Sequence, residues 1–292
     1  MTALEAEIHY ITVDFHKLRA ARWKGRASAG STDSFHKKRP VLFFNGIGGN
    51  LEMATPLAEF LQGSRDVITF DVPGAGGSDD PKFPYRLWWI ARAANKILEK
   101  MGYDGDIDVV GVSWGGAAAQ QFAIQYKKRV RHLVLCATSA GMLMVPGNLS
   151  SITKMTDNRR YTDPDYLMLN YQVLYGDTEK HVIEDHAVRV TPPSSKGYYY
   201  QLLAAMGWTS APFLPFIKAK TLIMGGDRDH LVPLVNAKIL ASLIPGAELD
   251  VIKEGGHLFI IARADEICER LIDFFDAGQG LAAGSSFSYA GG

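Results

Sequence analysis

The chain has 292 residues, 47% of them hydrophobic, and its 31 basic and 31 acidic residues give a formal net charge of zero. That length can bury one large core, or a core that carries an insertion. The balanced charge argues against the basic stripe of a nucleic-acid-binding protein and against an acidic disordered tail, so we expect no nucleic-acid partner.

The predicted elements follow a repeating order. Residues 6–24 alternate and predict two strands, and the Gly/Ser/Lys-rich residues 25–39 predict a loop whose basic cluster, HKKR at 36–39, is solvated. Strands are then predicted at 41–45, 66–74, 106–113, 132–138, 221–226 and 248–256. Helices are predicted at 51–61, 86–101, 115–127, 233–243 and 263–275. Strands that alternate with helices predict a parallel sheet with right-handed crossovers.

The alternation stops between roughly 141 and 217, where the pattern predicts helices near 150–157, 164–175, 178–190 and 195–207. We therefore predict four parts: a core at 1–140 and 218–277, a helical cap at 141–217 and a flexible tail at 278–292. Each aromatic or methionine residue of the cap, taken alone, is more typical of packed core, but their density favours a lipophilic cleft. The substrate contacts that we predict in the cap are Met142, Tyr199 and Trp208.

The segment VVGVSWGGAAAQQF at 109–122 joins a predicted strand directly to a predicted helix. Such a turn strains its junction residue and needs small neighbours, here Gly111, Gly115 and Gly116. It holds the Ser113 hydroxyl above the carboxyl edge of the sheet, beside the positive end of the helix. This pattern is the nucleophile elbow of the α/β-hydrolase fold, and it favours a nucleophilic Ser113 over a structural turn.

A serine nucleophile needs a base, and the base needs an orienting acid; in this fold the acid follows the serine and the histidine comes last. The segment MGGDRDHLVP offers Asp227 and Asp229. We favour Asp229, because its spacing to Pro233 fits the loop before the next helix. The segment EGGHLF supplies His257 as the base. Other histidines are expected to be structural or solvated: His181, His186 and His230.

Two backbone N–H groups are expected to bind the oxyanion of an acyl-transfer reaction. One belongs to Trp114, the residue after the nucleophile. The other is predicted at Ile47 in FFNGIGGN, where Gly46 keeps the loop open; a plain glycine turn is the alternative. Asn45 stands where many related hydrolases have a histidine, and we predict that it contacts the substrate.

The remaining signals concern compartment and cofactors. Cys136 and Cys268 lie in apolar patterns and are expected to be core residues in a reducing compartment. The N-terminal MTALEAEIHY lacks the features of a signal peptide, and no apolar run approaches the ~20 residues that span a bilayer. We therefore expect a cytoplasmic protein without a transmembrane segment. No histidine or cysteine cluster has metal-ligand spacing, so we expect neither metal nor cofactor.

Longer segments resemble one enzyme family: FFNGIGGNLEM, FDVPGAGGS, GVSWGGAAAQQFA, MVPG, GYYYQLLAAMGWTS and EGGHLFIIARA. Across residues 40–275 the chain resembles the intracellular poly(3-hydroxyalkanoate) depolymerases of the medium-chain-length type. GVSWGG is widespread among α/β-hydrolases, whereas FNGIG, MVPG and YYYQL with GWTS are more specific. The resemblance implies Ser113 as nucleophile, Asp229 as acid and His257 as base. It also implies hydrolysis of aliphatic polyesters and attachment to storage granules.

Other functions stay open at this point. The serine at the elbow argues against dehalogenases and epoxide hydrolases, which need a carboxylate there. A small-ester lipase, a carbon–carbon bond hydrolase or a thioester-using acyltransferase would use the same residues. A non-catalytic granule coat or receptor of the same fold is the alternative from another class. The sequence does not indicate an oligomeric state.

Overall fold

The computed structural model describes residues 6–25, 38–61, 64–157, 159–175 and 180–277. Its strands are β1 (Glu7–Val13), β2 (His16–Trp23), β3 (Val41–Phe44), β4 (Val67–Phe70), β5 (Ile107–Val112), β6 (Val130–Cys136), β7 (Lys220–Gly226) and β8 (Glu248–Ile252). Its α-helices are α1 (Thr55–Leu61), α2 (Leu87–Lys100), α3 (Trp114–Gln125), α4 (Leu149–Thr156), α5 (Arg159–Thr162), α6 (Pro164–Tyr175), α7 (Lys180–Arg189), α8 (Ser195–Ala205), α9 (Leu234–Leu243), α10 (Phe259–Ala262) and α11 (Ala264–Asp276). Short 3-10 helices lie at Leu51–Ala54 and Ala211–Phe216. The predicted tail, and His36 and Lys37 of the predicted basic cluster, lie outside the described residues.

The strands form one sheet in the order β1-β2-β4-β3-β5-β6-β7-β8. β2 is antiparallel to β1 and β4, and every pairing from β4 across to β8 is parallel. The prediction of an α/β-hydrolase fold with a mostly parallel sheet is therefore confirmed. β3, β4 and β5 are buried along their whole length, as expected of parallel strands that are covered on both faces.

Helices cover both faces of the sheet, and each face has its own apolar cluster. One cluster includes Ile90 of α2, Phe122 of α3 and Leu240 of α9. The other includes Leu61 of α1 and Phe274 of α11. Apolar residues recur along α2 and α11 every three or four positions, so each of these helices presents one apolar stripe to the sheet.

The two cysteines belong to the second cluster. Cys136 and Cys268 are both buried and unbonded, so their predicted placement in the core is confirmed. Burial raises the pKa of each thiol to about 12. Thiols with so high a pKa are poor nucleophiles, which leaves nucleophilic chemistry to other residues.

The connection from β6 to β7 carries α4 to α8 and the 3-10 helix at Ala211–Phe216, and we call residues 141–217 the insertion. The helical patterns seen in the sequence correspond to α4, α6, α7 and α8. Helix α5 was not predicted, because four residues are too few to display a helical period. A small apolar cluster within the insertion, including Leu174 and Ile183, also contains Leu258 from the loop after β8. The insertion therefore packs directly against that loop.

Candidate active site

Ser113 occupies the junction between β5 and α3, with φ 55° and ψ −120°. Positive φ is uncommon for a residue with a side chain, and it persists where the surroundings enforce it. A Cβ on Gly111 would lie 2.4 Å from the carbonyl oxygen of Gly115, and one on Gly115 would lie 2.2 Å from that of Phe44. The Ser113 N–H donates to the Cys136 carbonyl at 2.9 Å, which ties the turn to β6. Glycine spacing and this bond together hold the serine at the carboxyl edge of the sheet.

His257 lies in the loop after β8, and its imidazole faces the serine. The distance from His257 Nε2 to Ser113 Oγ is 3.1 Å. The side chain is 4% exposed, so it is shielded from bulk water. Its backbone N–H donates to the carbonyl of Tyr175 at 2.8 Å, so the insertion helps to hold the loop that carries the histidine.

Asp229 lies in the loop after β7, on the other side of the imidazole. Its Oδ2 is 2.8 Å from His257 Nδ1. Its Oδ1 accepts the backbone N–H groups of Leu231 at 2.9 Å and Val232 at 2.8 Å. A carboxylate only accepts hydrogen bonds, so it favours the tautomer in which Nδ1 carries the proton and Nε2 is free to accept from the serine hydroxyl.

The competing candidates of the sequence lie elsewhere. Asp227 is exposed, and its N–H donates to the carbonyl of Ile252 at 3.2 Å. His230 is exposed, and its carbonyl accepts the N–H of Asn148 at 2.8 Å. His181 is exposed on α7, and the side chain of His186 lies outside the described part of the chain. Of the two aspartates, the structure brings Asp229 to the histidine.

The loop at residues 45–50 passes beside Ser113, and a Cβ on Gly46 would lie 3.8 Å from the serine Cβ. The carbonyl of Ile47 accepts the hydroxyl of Tyr161, and also Arg160 Nη2 at 3.4 Å. The N–H of Gly48 donates to Gln201 Oε1 at 2.8 Å. Among the residues that the structure describes, the N–H of Ile47 has no acceptor. It is therefore available to a ligand beside the serine.

Trp114 contributes both its backbone and its indole. It is the first residue of α3, where helix N–H groups lack intrahelical acceptors. The buried indole donates from Nε1 to the carbonyl of Gln201 at 2.9 Å. Gln201 of α8 thus contacts Trp114 and Gly48, which is next to Ile47. Trp114 and Ile47 carry the two N–H groups that were predicted to bind the oxyanion.

Cavities lie on both sides of Ser113. The first, about 90 Å³, lies between the 45–50 loop, the insertion and the loop after β8, and Asn45, Ile47 and His257 are among its lining residues. The second, about 390 Å³, lies between α3, the start of the insertion and the end of α8. Met142 and Trp208 line this second cavity.

Asn45 and Tyr199, two of the predicted substrate contacts, lie in different places relative to the cavities. The side-chain amide of Asn45 donates to the Asn50 carbonyl at 3.1 Å, so it also braces its own loop. Tyr199 is 57% exposed and lines neither cavity described above. On the same helix, Tyr198 and Gln201 are three positions apart and share the buried face. The YYYQ stretch therefore does approach the site, but through Tyr198 and Gln201.

Arg160, which was not predicted from the sequence, is 5% exposed and lines the first cavity. Its guanidinium donates to Tyr175 Oη at 3.0 Å and to Tyr198 Oη at 3.3 Å, and it also bonds Tyr161 Oη. No motif surrounds this residue, and a lone arginine in a polar helical stretch normally faces solvent. Its burial depends on tertiary contacts of α5, with Tyr175 of α6 and Tyr198 of α8.

The described ranges hold neither a candidate membrane span nor a candidate metal cluster. No helix there combines the length and the apolar composition that crossing a membrane requires. Within the same ranges, no group of three or more His, Cys, Asp or Glu side chains is arranged to hold a metal ion.

Comparison with known proteins gives a consistent result. Residues 39–187 match the model of the alpha/beta hydrolase fold family. The chain is 43% identical over 238 residues to the poly(3-hydroxyalkanoate) depolymerase of Ectopseudomonas oleovorans, covering 80% of this chain and 83% of that protein. It is 28% identical to a 2-hydroxy-6-oxo-6-phenylhexa-2,4-dienoate hydrolase of Comamonas testosteroni, over 78% of this chain and 83% of that one. An esterase structure from Exiguobacterium antarcticum superposes with a TM-score of 0.76 at 20% identity, covering 91% of this chain and 98% of that one.

Proposed function

The chain belongs to the alpha/beta hydrolase family and is a carboxylic ester hydrolase, and from this premise we propose that it cleaves poly(3-hydroxyalkanoate) through an acyl-enzyme on Ser113. The observation that carries the mechanism is the chain of contacts from Asp229 through His257 to Ser113, at 2.8 and 3.1 Å. The polyester substrate rests on the 43% identity to a depolymerase.

The proposed reaction has two halves. His257 takes the proton of Ser113 Oγ as the oxygen attacks the ester carbonyl, and the N–H groups of Ile47 and Trp114 bind the oxyanion. The leaving alcohol receives the proton from His257 Nε2. Water, deprotonated by the same nitrogen, then attacks the acyl-enzyme and releases the acid. Asp229 orients the imidazole and stabilises its charged form.

The surface near the second cavity supports contact with an insoluble substrate. Met142 and Met206, which line that cavity, are 66% and 63% exposed, and Leu143 beside Met142 is 61% exposed. Exposed apolar side chains at a cleft are typical of a surface that meets lipid or polymer. We propose that this rim lies against the polyester granule and that the second cavity admits the chain, with Trp208 on its wall.

The mechanism is tested by labelling with a fluorophosphonate. We expect one adduct on Ser113 of the native protein, none in Ser113→Ala, and a loss of ester hydrolysis of at least ~10³-fold in that variant. Ser242→Ala, on the exposed side of α9, is the matched control and should label normally. A native protein that forms no adduct would point to a non-catalytic granule coat or receptor.

The substrate is tested by comparing release of 3-hydroxyalkanoic acids from a polymer emulsion with hydrolysis of p-nitrophenyl octanoate. A depolymerase clears the emulsion and releases hydroxy acids. Rapid hydrolysis of the soluble ester without clearing would instead support a small-ester esterase. Turnover of a 2-hydroxy-6-oxo dienoate would support the carbon–carbon bond hydrolase alternative. This alternative is worth testing because the chain is 28% identical to a hydrolase of that type. Ester formation from a thioester donor would support an acyltransferase.

A further inference from the structure

The first cavity contains a buried cation that the proposed mechanism does not use. Arg160 is 5% exposed, and its hydrogen-bond partners among the described residues are the hydroxyls of three tyrosines and the Ile47 carbonyl. Its guanidinium carbon also lies 4.1 Å from the ring centre of Tyr161 and 5.5 Å from that of Tyr198. Its Nε is buried and has no hydrogen-bond partner. No carboxylate of the described residues forms an ion pair with it. Cation–π contacts with the Tyr161 and Tyr198 rings offset part of the cost of burying this guanidinium. They neither neutralise its charge nor use its unpaired N–H donor, so an anionic ligand would stabilise it further.

The tyrosines do not supply that counter-charge. Burial raises the pKa of both Tyr161 and Tyr198 above the ordinary phenol value, so both hydroxyls are neutral at physiological pH. Tyr161 Oη donates its proton to the Ile47 carbonyl, and Tyr198 Oη donates to the Met155 carbonyl. Each oxygen is thereby directed toward Arg160 as an acceptor. The tyrosine hydroxyls and the Ile47 carbonyl therefore fix the position of the guanidinium but do not neutralise its charge.

The rest of the cavity wall is largely apolar, with Met53, Leu57, Val190 and Ile261 among its residues. A matching ligand has an aliphatic body and an anionic end. A carboxylate suits the guanidinium best, because charge-assisted hydrogen bonds to arginine are short and strong. Ser113 and His257 line the same cavity, so such a ligand would lie next to the reacting atoms.

We infer that Arg160 forms a carboxylate subsite that binds the carboxyl-terminal unit of a 3-hydroxyalkanoate chain. This inference rests on the proposed function. In such a chain the acyl side of any ester bond ends in a hydroxyl, and the alcohol side ends in the free carboxylate. The bound carboxylate therefore belongs to the leaving unit. The first cavity takes that unit, the second takes the acyl side, and the last ester bond is cut to release one hydroxy acid.

The test uses the dimer of 3-hydroxyoctanoate as the free acid and as its terminal primary amide, which share the same scissile ester. For the native enzyme we expect kcat/KM to be at least about tenfold higher for the acid, the effect of one charge-assisted hydrogen bond. In Arg160→Met the ratio of acid to amide should fall to about one, and Arg160→Lys should retain part of the preference. Taking the ratio within each variant cancels any loss of rate from a loosened insertion.

Arg159→Met is the matched control, because Arg159 is the exposed neighbour that pairs with Asp157, and it should keep the native ratio. A native ratio near one, or an unchanged ratio in Arg160→Met, would overturn the subsite. If neither dimer turns over, calorimetry on Ser113→Ala decides instead: 3-hydroxyoctanoate should bind about tenfold more tightly than its amide, and the difference should vanish when Arg160→Met is added.

The polymer assay separates the two proposals. Preference for the acid dimer without release of hydroxy acids from the emulsion would remove the polymer function and leave the subsite. Degradation of the emulsion with equal use of acid and amide would remove the subsite alone.

Discussion

At the scale of single residues, the two carboxylate oxygens of Asp229 bind different partners, one the backbone of its own loop and the other His257. Oδ1 is taken by the backbone N–H groups of Leu231 and Val232, and Oδ2 is left for His257. The loop itself therefore orients the carboxylate, and the carboxylate orients the imidazole. An acid held in this way can set the histidine tautomer without further side-chain partners.

Asp229→Asn tests this division. The amide oxygen can keep the two backbone bonds, and the NH₂ group would then donate to Nδ1 of His257. The ring proton would move to Nε2, which could no longer accept from Ser113. We expect kcat for a soluble ester to fall ~10³- to 10⁴-fold with an unchanged melting temperature.

Asp227→Asn is the matched control for that substitution. Asp227 is exposed in the same loop, so this variant should retain native kcat. Equal losses in the two variants would contradict the role proposed for Asp229.

At the scale of elements, the insertion holds the 45–50 loop from two helices. Tyr161 of α5 binds the Ile47 carbonyl, and Gln201 of α8 binds the Gly48 N–H. Both groups belong to the same peptide unit, so its plane is fixed. Gly48 has φ 71°, and a Cβ there would lie 2.4 Å from Tyr161 Oη, so this close approach needs glycine. The Ile47 N–H belongs to the preceding peptide unit, so the fixed unit acts on it only by limiting rotation about the Ile47 Cα. We propose that the insertion in this way helps to hold the Ile47 N–H toward the oxyanion.

Tyr161→Phe removes one of these supports. Without this hydrogen bond the peptide unit between Ile47 and Gly48 can rotate more freely. In the transition state the Ile47 N–H is then less well placed in the variant than in the native enzyme. We expect kcat on a soluble ester to fall about tenfold while KM changes by less than about threefold, because the lost interaction acts on the transition state.

Tyr166→Phe, which removes a hydroxyl from the neighbouring α6, should keep the native kcat. A rise in KM with constant kcat in Tyr161→Phe would instead assign Tyr161 to ground-state binding of the substrate.

At the scale of the whole molecule, a buried charge cluster joins the first and last parts of the core. The side chain of Arg65, which follows α1, is inaccessible to solvent and pairs with Asp108 of β5 at 3.3 Å and with Asp276 at the end of α11. Arg39 and His132 also contact Asp108, at 3.1 and 2.8 Å. Asp108 lies at the opposite end of β5 from Ser113, so this cluster belongs to stability rather than to the site.

Arg65→Met removes the central cation and leaves buried carboxylate charge under-compensated. We expect the free energy of unfolding, measured by urea titration, to fall by ~3–5 kcal/mol, the range for breaking a buried ion pair. At 25 °C the folded enzyme should keep its native kcat.

Arg131→Met serves as the matched control, because it removes an exposed pair with Asp106 and should have a much smaller effect on stability. Equal unfolding midpoints for Arg65→Met and the native protein would contradict the structural role of the cluster.

The sequence by itself determined the fold and the candidates for the reacting groups. Strand and helix periods, and the glycines around Ser113, are local properties, because side-chain spacing and backbone strain act over a few residues. The order of serine, acid and histidine along the chain followed from the known pattern of the α/β-hydrolase fold. Loops at the carboxyl edge of the sheet converge, so residues far apart in the chain can meet there. The same local signals could not choose between Asp227 and Asp229 except by spacing.

Only the tertiary structure decided which residues surround that centre. Asp229 faces the histidine because its loop supplies two N–H groups to Oδ1. Arg160 has no sequence signal, and it reaches the first cavity through contacts with Tyr175 of α6, Tyr198 of α8 and the Ile47 carbonyl. Tyr199 was predicted at the site, but the pitch of α8 turns Tyr198 and Gln201 inward instead. Contacts between distant segments depend on how helices pack, and no local period encodes that packing.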